Sequence, residues 1–360
     1  MSVDVFFNNK KDKFYDDLKK RVNKYFKDNN LSKKANLQMY INTLVLFSIT
    51  YASYFLILFG GFSWPIMLFF VFTMGFGVAG CGMGFMHDGS HNAYSDKPWV
   101  NNLIGSSLNL LGSHKYIWDL RHNAYHHMYT NVYKYDFDMV KIWLVRHSPE
   151  AKKRWFHKYQ HIYASFVVYP YYTIFWLLVY DVLHLNLFRQ PIGDGELKKH
   201  PMSKIISIVF WRLFYLFYII VIPYLVLGLP FWQIMVGFLA LHVSTSLFLC
   251  TIFQVAHIVE ETVHGIPDKN GKINDTWAQH QVKASCNFSL KNKLMTWYCG
   301  GLNYQIEHHL LPNVCSIHYP NIQPIIKATI EEHGLPYNVH PSIAKAYGSH
   351  LKALKKLGNE

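Results

Sequence analysis

Three clusters of histidine carry the residues best able to do chemistry: His87-Asp-Gly-Ser-His91, His122-Asn-Ala-Tyr-His126-His127 and Gln305-Ile-Glu-His308-His309. Histidines four apart on a helix share a face, with Cβ atoms about 5–6 Å apart, so both imidazoles can reach one metal ion. Adjacent histidines such as His126 and His127 point about 100° apart on a helix, so the pair can serve two neighbouring ions. A zinc site takes about four ligands. Seven histidines in three clusters exceed that number and suit a dinuclear site. Imidazole-rich coordination without thiolates suits iron, copper, nickel or zinc. The five cysteines (Cys81, Cys250, Cys286, Cys299, Cys315) have no CxxC spacing and read as reduced, structural residues.

The first cluster begins where a long apolar run ends, and the other two lie outside such runs. Residues 35–86 and 213–259 contain no Asp, Glu, Lys or Arg. Each run is about twice the roughly 20 residues that cross a bilayer as a helix. Each has a breaker near its middle, Gly60-Gly61 through Pro65 and Gly228-Leu229-Pro230. Two hairpins of transmembrane helices follow, near 38–59 with 65–86 and 211–228 with 232–256. The expected fold is an all-α integral membrane protein of four spans, with the remaining segments forming a helical cap over them.

The basic residues set the orientation. Lys10, Lys11, Lys13, Lys19, Lys20, Arg21, Lys24, Lys27, Lys33 and Lys34 precede the first span, whereas the tips at 60–64 and 228–231 are uncharged. Positively charged flanks stay on the cytoplasmic side. Both termini, the 87–204 segment and all three clusters are therefore expected inside. The net charge of +13 is mostly this signal, with a contribution to holding an anionic membrane surface. The basic residues flank spans and line no nucleic-acid module, so no nucleic-acid partner is expected.

A further apolar stretch, 162–183, bears on the same question. If it spanned, the third cluster would lie across the membrane from the first two and could share no ion with them. It is therefore expected to lie at the interface or to dip in and return, which its five tyrosines suit. Residues 1–34 read as a charged amphipathic segment, 35–345 as the main domain and 346–360 as a basic helix. That last helix could rest on the membrane or on the cap. His242, in the middle of the fourth span, is polar in a costly place and either lines a tunnel or is a hydrogen-bonded core residue. The histidines outside the clusters, such as His114, His161, His200, His280 and His333, read as surface or capping residues.

With their neighbours, the clusters become His87-Asp-Gly-Ser-His91-Asn-Ala-Tyr, Arg121-His122-Asn-Ala-Tyr-His126-His127-Met-Tyr-Thr-Asn131 and Gly300-Gly-Leu-Asn-Tyr-Gln305-Ile-Glu-His308-His309-Leu-Leu-Pro312. The chain resembles the membrane fatty acid desaturases over roughly residues 35–345. It is most similar to the acyl-CoA and acyl-lipid group whose third box begins with Gln, in the bacterial form without a fused cytochrome b5 domain.

The resemblance implies two iron ions that use O₂ to remove two hydrogens from adjacent carbons of an acyl chain. It implies metal ligation by His87, His91, His122, His126, His127, His308 and His309, with His257 in Phe253-Gln-Val-Ala-His257 as an eighth. Gln305 stands where other members have a further histidine, and could bind iron, bind it through water or orient a neighbour. Asp88 and Glu307, beside ligands, are the best candidates to hold imidazoles by their second nitrogen, with Asp136, Asp138, Glu260 and Glu261 behind them. The implied partners are a fatty acyl-CoA or acyl-lipid substrate, the bilayer, and a separate electron donor of ferredoxin or cytochrome b5 type with its reductase. The Gln-type third box implies a double bond counted from the carboxyl end, with Lys115, Arg121, Lys152, Lys153 and Arg154 as candidates to grip the headgroup. An acyl hydroxylase on the same scaffold is the nearest alternative. A membrane metal transporter is a distant one, because its ligands would form a path within the spans.

Overall fold

Among the described residues four helices are long and apolar enough to cross a membrane: Leu37–Phe59, Trp64–Ser90, Met202–Leu227 and Phe231–His257. The computed structural model describes residues 5–139, 143–176 and 200–360. The hairpin tips form where the sequence breaks. Gly61 has φ +63° and Gly228 φ +62°, left-handed values that glycine adopts without strain. Pro65 and Pro230 then start the returning helices, where no backbone N–H is needed.

The spans pack through small residues. A Cβ on Gly75 would lie 1.9 Å from Ser244 Oγ, and one on Gly77 would lie 2.4 Å from Thr50 Oγ1. Such close approach is how helices gain contact in lipid, where no hydrophobic force separates side chain from solvent. The third span begins at Met202, nine residues before the expected start. Lys204 lies within this extension, and long basic side chains at a helix end keep their charge in the headgroup region. The second span likewise continues to Ser90 and carries the first histidine box on its last turns.

The cap covers the end of the bundle where Leu37, Ser90, Met202 and His257 lie. The N-terminal helix Lys13–Asp28 buries Phe14, Leu18, Val22 and Phe26 against Ile322, Ile326 and Ile330 of the helix Tyr319–Glu332. Two short parallel pairings tie distant segments together, Phe6 with Lys272 and Asn287 with Val339. The C-terminal helix Ile343–Asn359 buries Ala346, His350, Ala353, Leu354 and Leu357, so it rests on the cap. Arg146 fastens its end by donating to Leu357 O and to Ala151 O.

Residues 160–175 form helical turns of changing pitch, broken where Pro170 lacks a donor. This stretch leaves the cap at Gln160, which bonds Leu354 O, and runs in along the fourth span. At its inner end Thr173 Oγ1 lies 2.9 Å from His242 Nδ1. The described chain resumes on the cap side, where His200 Nδ1 is 2.7 Å from Tyr116 Oη. Of the stretch 162–183, expected to lie at the interface or to dip in and return, residues 177–183 lie outside the described ones.

Candidate metal centre and its channel

The three boxes and His257 converge at the base of the cap. His87 and His91 end the second span, and His257 ends the fourth. His122 and His126 lie on a π-helical turn, Asp119–His126, with His127 directly after it. Gln305, His308 and His309 share the short helix Gln305–Leu310. π-turns recur at functional sites because the extra residue per turn re-aims side chains.

The imidazoles form two nests. One is His87, His91, His122 and His308; the other is His126, His257 and His309. Within each, the donor atoms lie within 4.8 Å of one another. His127 adjoins both, grouping with His308 and His309 and placing its Nε2 3.2 Å from His122 Nε2. Two adjoining nests are what a dinuclear centre requires, and the adjacent pairs His126-His127 and His308-His309 supply both.

The outer nitrogens are held by the protein. His122 Nδ1 is 2.5 Å from Asp138 Oδ2, and His126 Nδ1 is 3.0 Å from Asp136 Oδ1. His257 Nδ1 donates to Ala284 O at 3.2 Å, and His309 Nδ1 donates to Gln281 Oε1 at 2.8 Å. An acceptor at Nδ1 fixes the proton there and leaves the Nε2 lone pair facing inward. The inner atoms His91 Nε2, His126 Nε2, His127 Nδ1, His308 Nε2 and Gln305 Oε1 are buried and meet no hydrogen-bond partner among the described residues. Converging, unpartnered, buried imidazole nitrogens fit a pair of metal ions.

Electrostatics agree with ligation. Burial, with neighbouring imidazoles adding to it, holds His91, His122, His127, His308 and His309 well below the usual histidine range, so they are neutral. His126 differs: burial opposes its charge, but the Asp136 carboxylate outweighs burial and raises it. The same pairing outweighs burial at Asp136 and lowers that carboxyl. Gln305 places its amide nitrogen 2.8 Å from His257 Nε2 and 3.2 Å from His309 Nε2. The two ends of an amide are interchanged by a flip, so its oxygen can face the same nest.

The carboxylates that hold imidazoles are Asp136 and Asp138. Asp88 and Glu307, expected in that role, do something else. Asp88 accepts from Cys315 Sγ and Ser316 Oγ, pinning the first box to the loop after the third. Glu307 accepts from Asn287 Nδ2 at 2.7 Å and Tyr337 Oη at 2.8 Å, and burial pushes its carboxyl up to about 7. A residue next to a ligand on a helix points about 100° away from it, so both acids face outward from the nests. Glu261 contacts His340 and Ser349, and Glu260 pairs with Lys352.

Gln281 lies outside every motif, and Thr130 lies within the second one without an expected role; the part each plays comes from the structure. Thr130 Oγ1 donates to Gln281 Oε1 at 2.8 Å, and this shared oxygen holds His309. His114, expected at the surface or as a cap, caps the short helix Lys115–Trp118 by accepting from Tyr116 N at 3.2 Å; His280, expected likewise, is buried, and its Nε2 donates to Thr130 O at 2.7 Å. Arg121, a candidate headgroup grip, is also buried, with Nη2 2.6 Å from Asp138 Oδ1. Lys115 pairs with Asp119 at 2.6 Å.

A cavity opens from the first nest into the bundle. His87, His122 and Gln305 line its head; Met83, Leu108, Leu249, Ile252 and Phe253 line its length; Tyr215, Leu241 and His242 line its far end. A mostly apolar channel ending on a metal nest suits a hydrocarbon chain presented to an oxidant.

The fatty acid desaturase family model matches residues 62–341. The chain is 35% identical to a sn-1 linoleoyl-lipid 6-desaturase of Arthrospira platensis, over 96% of this chain and 92% of that protein. It is 32% identical to the sn-1 linoleoyl-lipid 6-desaturase of a Synechocystis species, covering 95% and 94%. It is also 35% identical to an acyl-lipid (8-3)-desaturase of Physcomitrium patens, covering 96% of this chain and 72% of that one.

Proposed function

The chain belongs to the fatty acid desaturase family, and from that premise we propose that its two nests hold two iron ions and that it inserts a double bond into a lipid-linked acyl chain, counted from the carboxyl end. The enzyme is a desaturase of fatty acyl chains. The observation that carries the metal reading is the set of buried, unpartnered imidazole nitrogens in the nests, whose members His87 and His122 line the head of the channel.

Bound iron supplies the activation of O₂ needed to remove hydrogen from unactivated methylenes, which no side-chain acid or base can do. The protein's own residues position and shield. His87, His91, His122 and His308 would hold one ion, and His126, His257 and His309 the other, with His127 between them and Gln305 at the second. Asp138, Asp136, Gln281 and Ala284 O fix the ring orientations. Met83, Leu249, Ile252 and Phe253 exclude water around the chain beside the first nest.

Two of the relatives above are named for linoleoyl lipids, and this favours an acyl-lipid over an acyl-CoA substrate here. The Lys-rich N-terminus and uncharged tips favour a cap on the cytoplasmic face, where a soluble donor of ferredoxin or cytochrome b5 type would deliver electrons. Expression in a host of simple lipid content, with defined fatty acids fed and new double bonds located by mass spectrometry, tests the reaction. A new bond at constant distance from the carboxyl end supports the reading. A constant distance from the methyl end overturns the counting, and hydroxylated product overturns desaturation. Labelling of cysteines introduced by Gly61→Cys and Leu229→Cys with an impermeant reagent from outside tests the orientation.

A further inference from the structure

Two cavities lie along the bundle, and they meet at a shared lining residue. The first is the channel that starts at His87 and His122. The second, of about 570 Å³, lies toward the hairpin tips and is lined by residues including Tyr54, Met74, Ile219, Ile234 and Phe238. Leu241 lines both. Tyr215, Phe238 and Leu241 belong to one packed cluster, and the Phe238 ring centroid is 4.5 Å from that of His242.

We propose that the layer of Tyr215, His242 and Leu241 is the closed end of the acyl channel and sets the longest acyl chain that the enzyme accepts. This rests on the desaturase reading above. The layer is anchored to three separate parts of the chain. Tyr215 on the third span places its Oη 3.1 Å from His242 Nε2 on the fourth, and Thr173 of the inward-dipping stretch places its Oγ1 2.9 Å from His242 Nδ1. Thr173 Oγ1 also lies 2.7 Å from Ser246 Oγ. Both imidazole nitrogens are therefore occupied, and Tyr215, His242 and Leu241 all line the channel. A wall tied to three segments yields less than a single side chain would.

The depth is right for a stop. Phe253, Ile252, Leu249, Thr245, His242 and Leu241 line the channel along one face of the fourth span. From Phe253 to Leu241 the helix rises about 18 Å. One leaflet of hydrocarbon is about 15 Å deep, half the bilayer core. An acyl chain whose reacting carbons sit beside the metal nests thus brings its methyl end to this layer. Beyond it, the second cavity is apolar apart from Gln233 and accommodates only more hydrocarbon.

The test compares the linoleoyl chain with the same chain lengthened at its methyl end by two and by four methylenes, in the wild type, Leu241→Ala and Leu241→Phe. Leu241→Ala joins the cavities, and the product ratio of the longest chain to linoleoyl should rise on the order of tenfold, the usual discrimination per methylene or two in an apolar pocket. Leu241→Phe thickens the wall and should move the ratio toward shorter chains. Native mass spectrometry of the purified protein should show the same order of retained acyl chains, independent of turnover. If neither substitution moves the ratio or the retained chain length, the wall does not set the limit and the proposal falls. If the wild type desaturates none of the three chains, the desaturase reading falls instead.

Discussion

Two buried histidine sites sit within this bundle, and they differ in what their ring nitrogens meet. At the metal nests, His91 Nε2, His126 Nε2, His127 Nδ1 and His308 Nε2 find no partner among the described residues. In the fourth span, both nitrogens of His242 are hydrogen-bonded, to Thr173 and Tyr215. A buried polar atom left unmatched costs about 1–3 kcal/mol. Four of them across the two adjoining nests therefore destabilise the fold by several kcal/mol until something takes the lone pairs. The His242 site is already complete. The same residue type, equally buried, marks a ligand site in one place and a structural wall in the other.

Substitutions should separate the two sites, and the largest effect belongs to the nests. His126→Ala should abolish desaturation and lower iron content while the protein still inserts; full activity would break the distinction. Next comes the layer that aims the rings. Asp138→Asn removes the negative charge and turns one of the two accepting oxygens into a donor, so His122 and Arg121 can no longer both be held, and it should weaken metal binding 10–100-fold by competition with a chelator. Gln281→Leu removes the oxygen that holds His309 and should give a loss about tenfold, at the low end of that range. An unchanged affinity in both variants would mean that the nests are held by backbone packing alone. The smallest effect belongs to the wall. Hydrogen bonds inside a bundle average about 0.6 kcal/mol, so Tyr215→Phe should lower unfolding stability by about that amount and leave iron content unchanged. Loss of iron in Tyr215→Phe would join two sites that the structure keeps apart.

The nests were legible in the sequence because their spacing is local. His87 and His91, or His122 and His126, meet on one helix face whatever the rest of the chain does. Spans were legible for the same reason, since charge-free runs of that length leave few alternatives. Partners across the fold were not. Gln281 reaches His309 from a different helix, and no periodicity joins them. Asp88 and Glu307 looked well placed because they neighbour ligands, but neighbours on a helix face different ways. The third span began earlier than its charge-free run because Lys204 and Arg212 sit within the helix. His242 was visible as a polar residue in a span, yet only the geometry shows that Tyr215 and Thr173 complete it.

Metal analysis of the purified protein tests the central claim most directly. About two irons per chain, reduced in His126→Ala and retained in Tyr215→Phe, is the expected result. A single zinc, or iron content indifferent to His126, would contradict it.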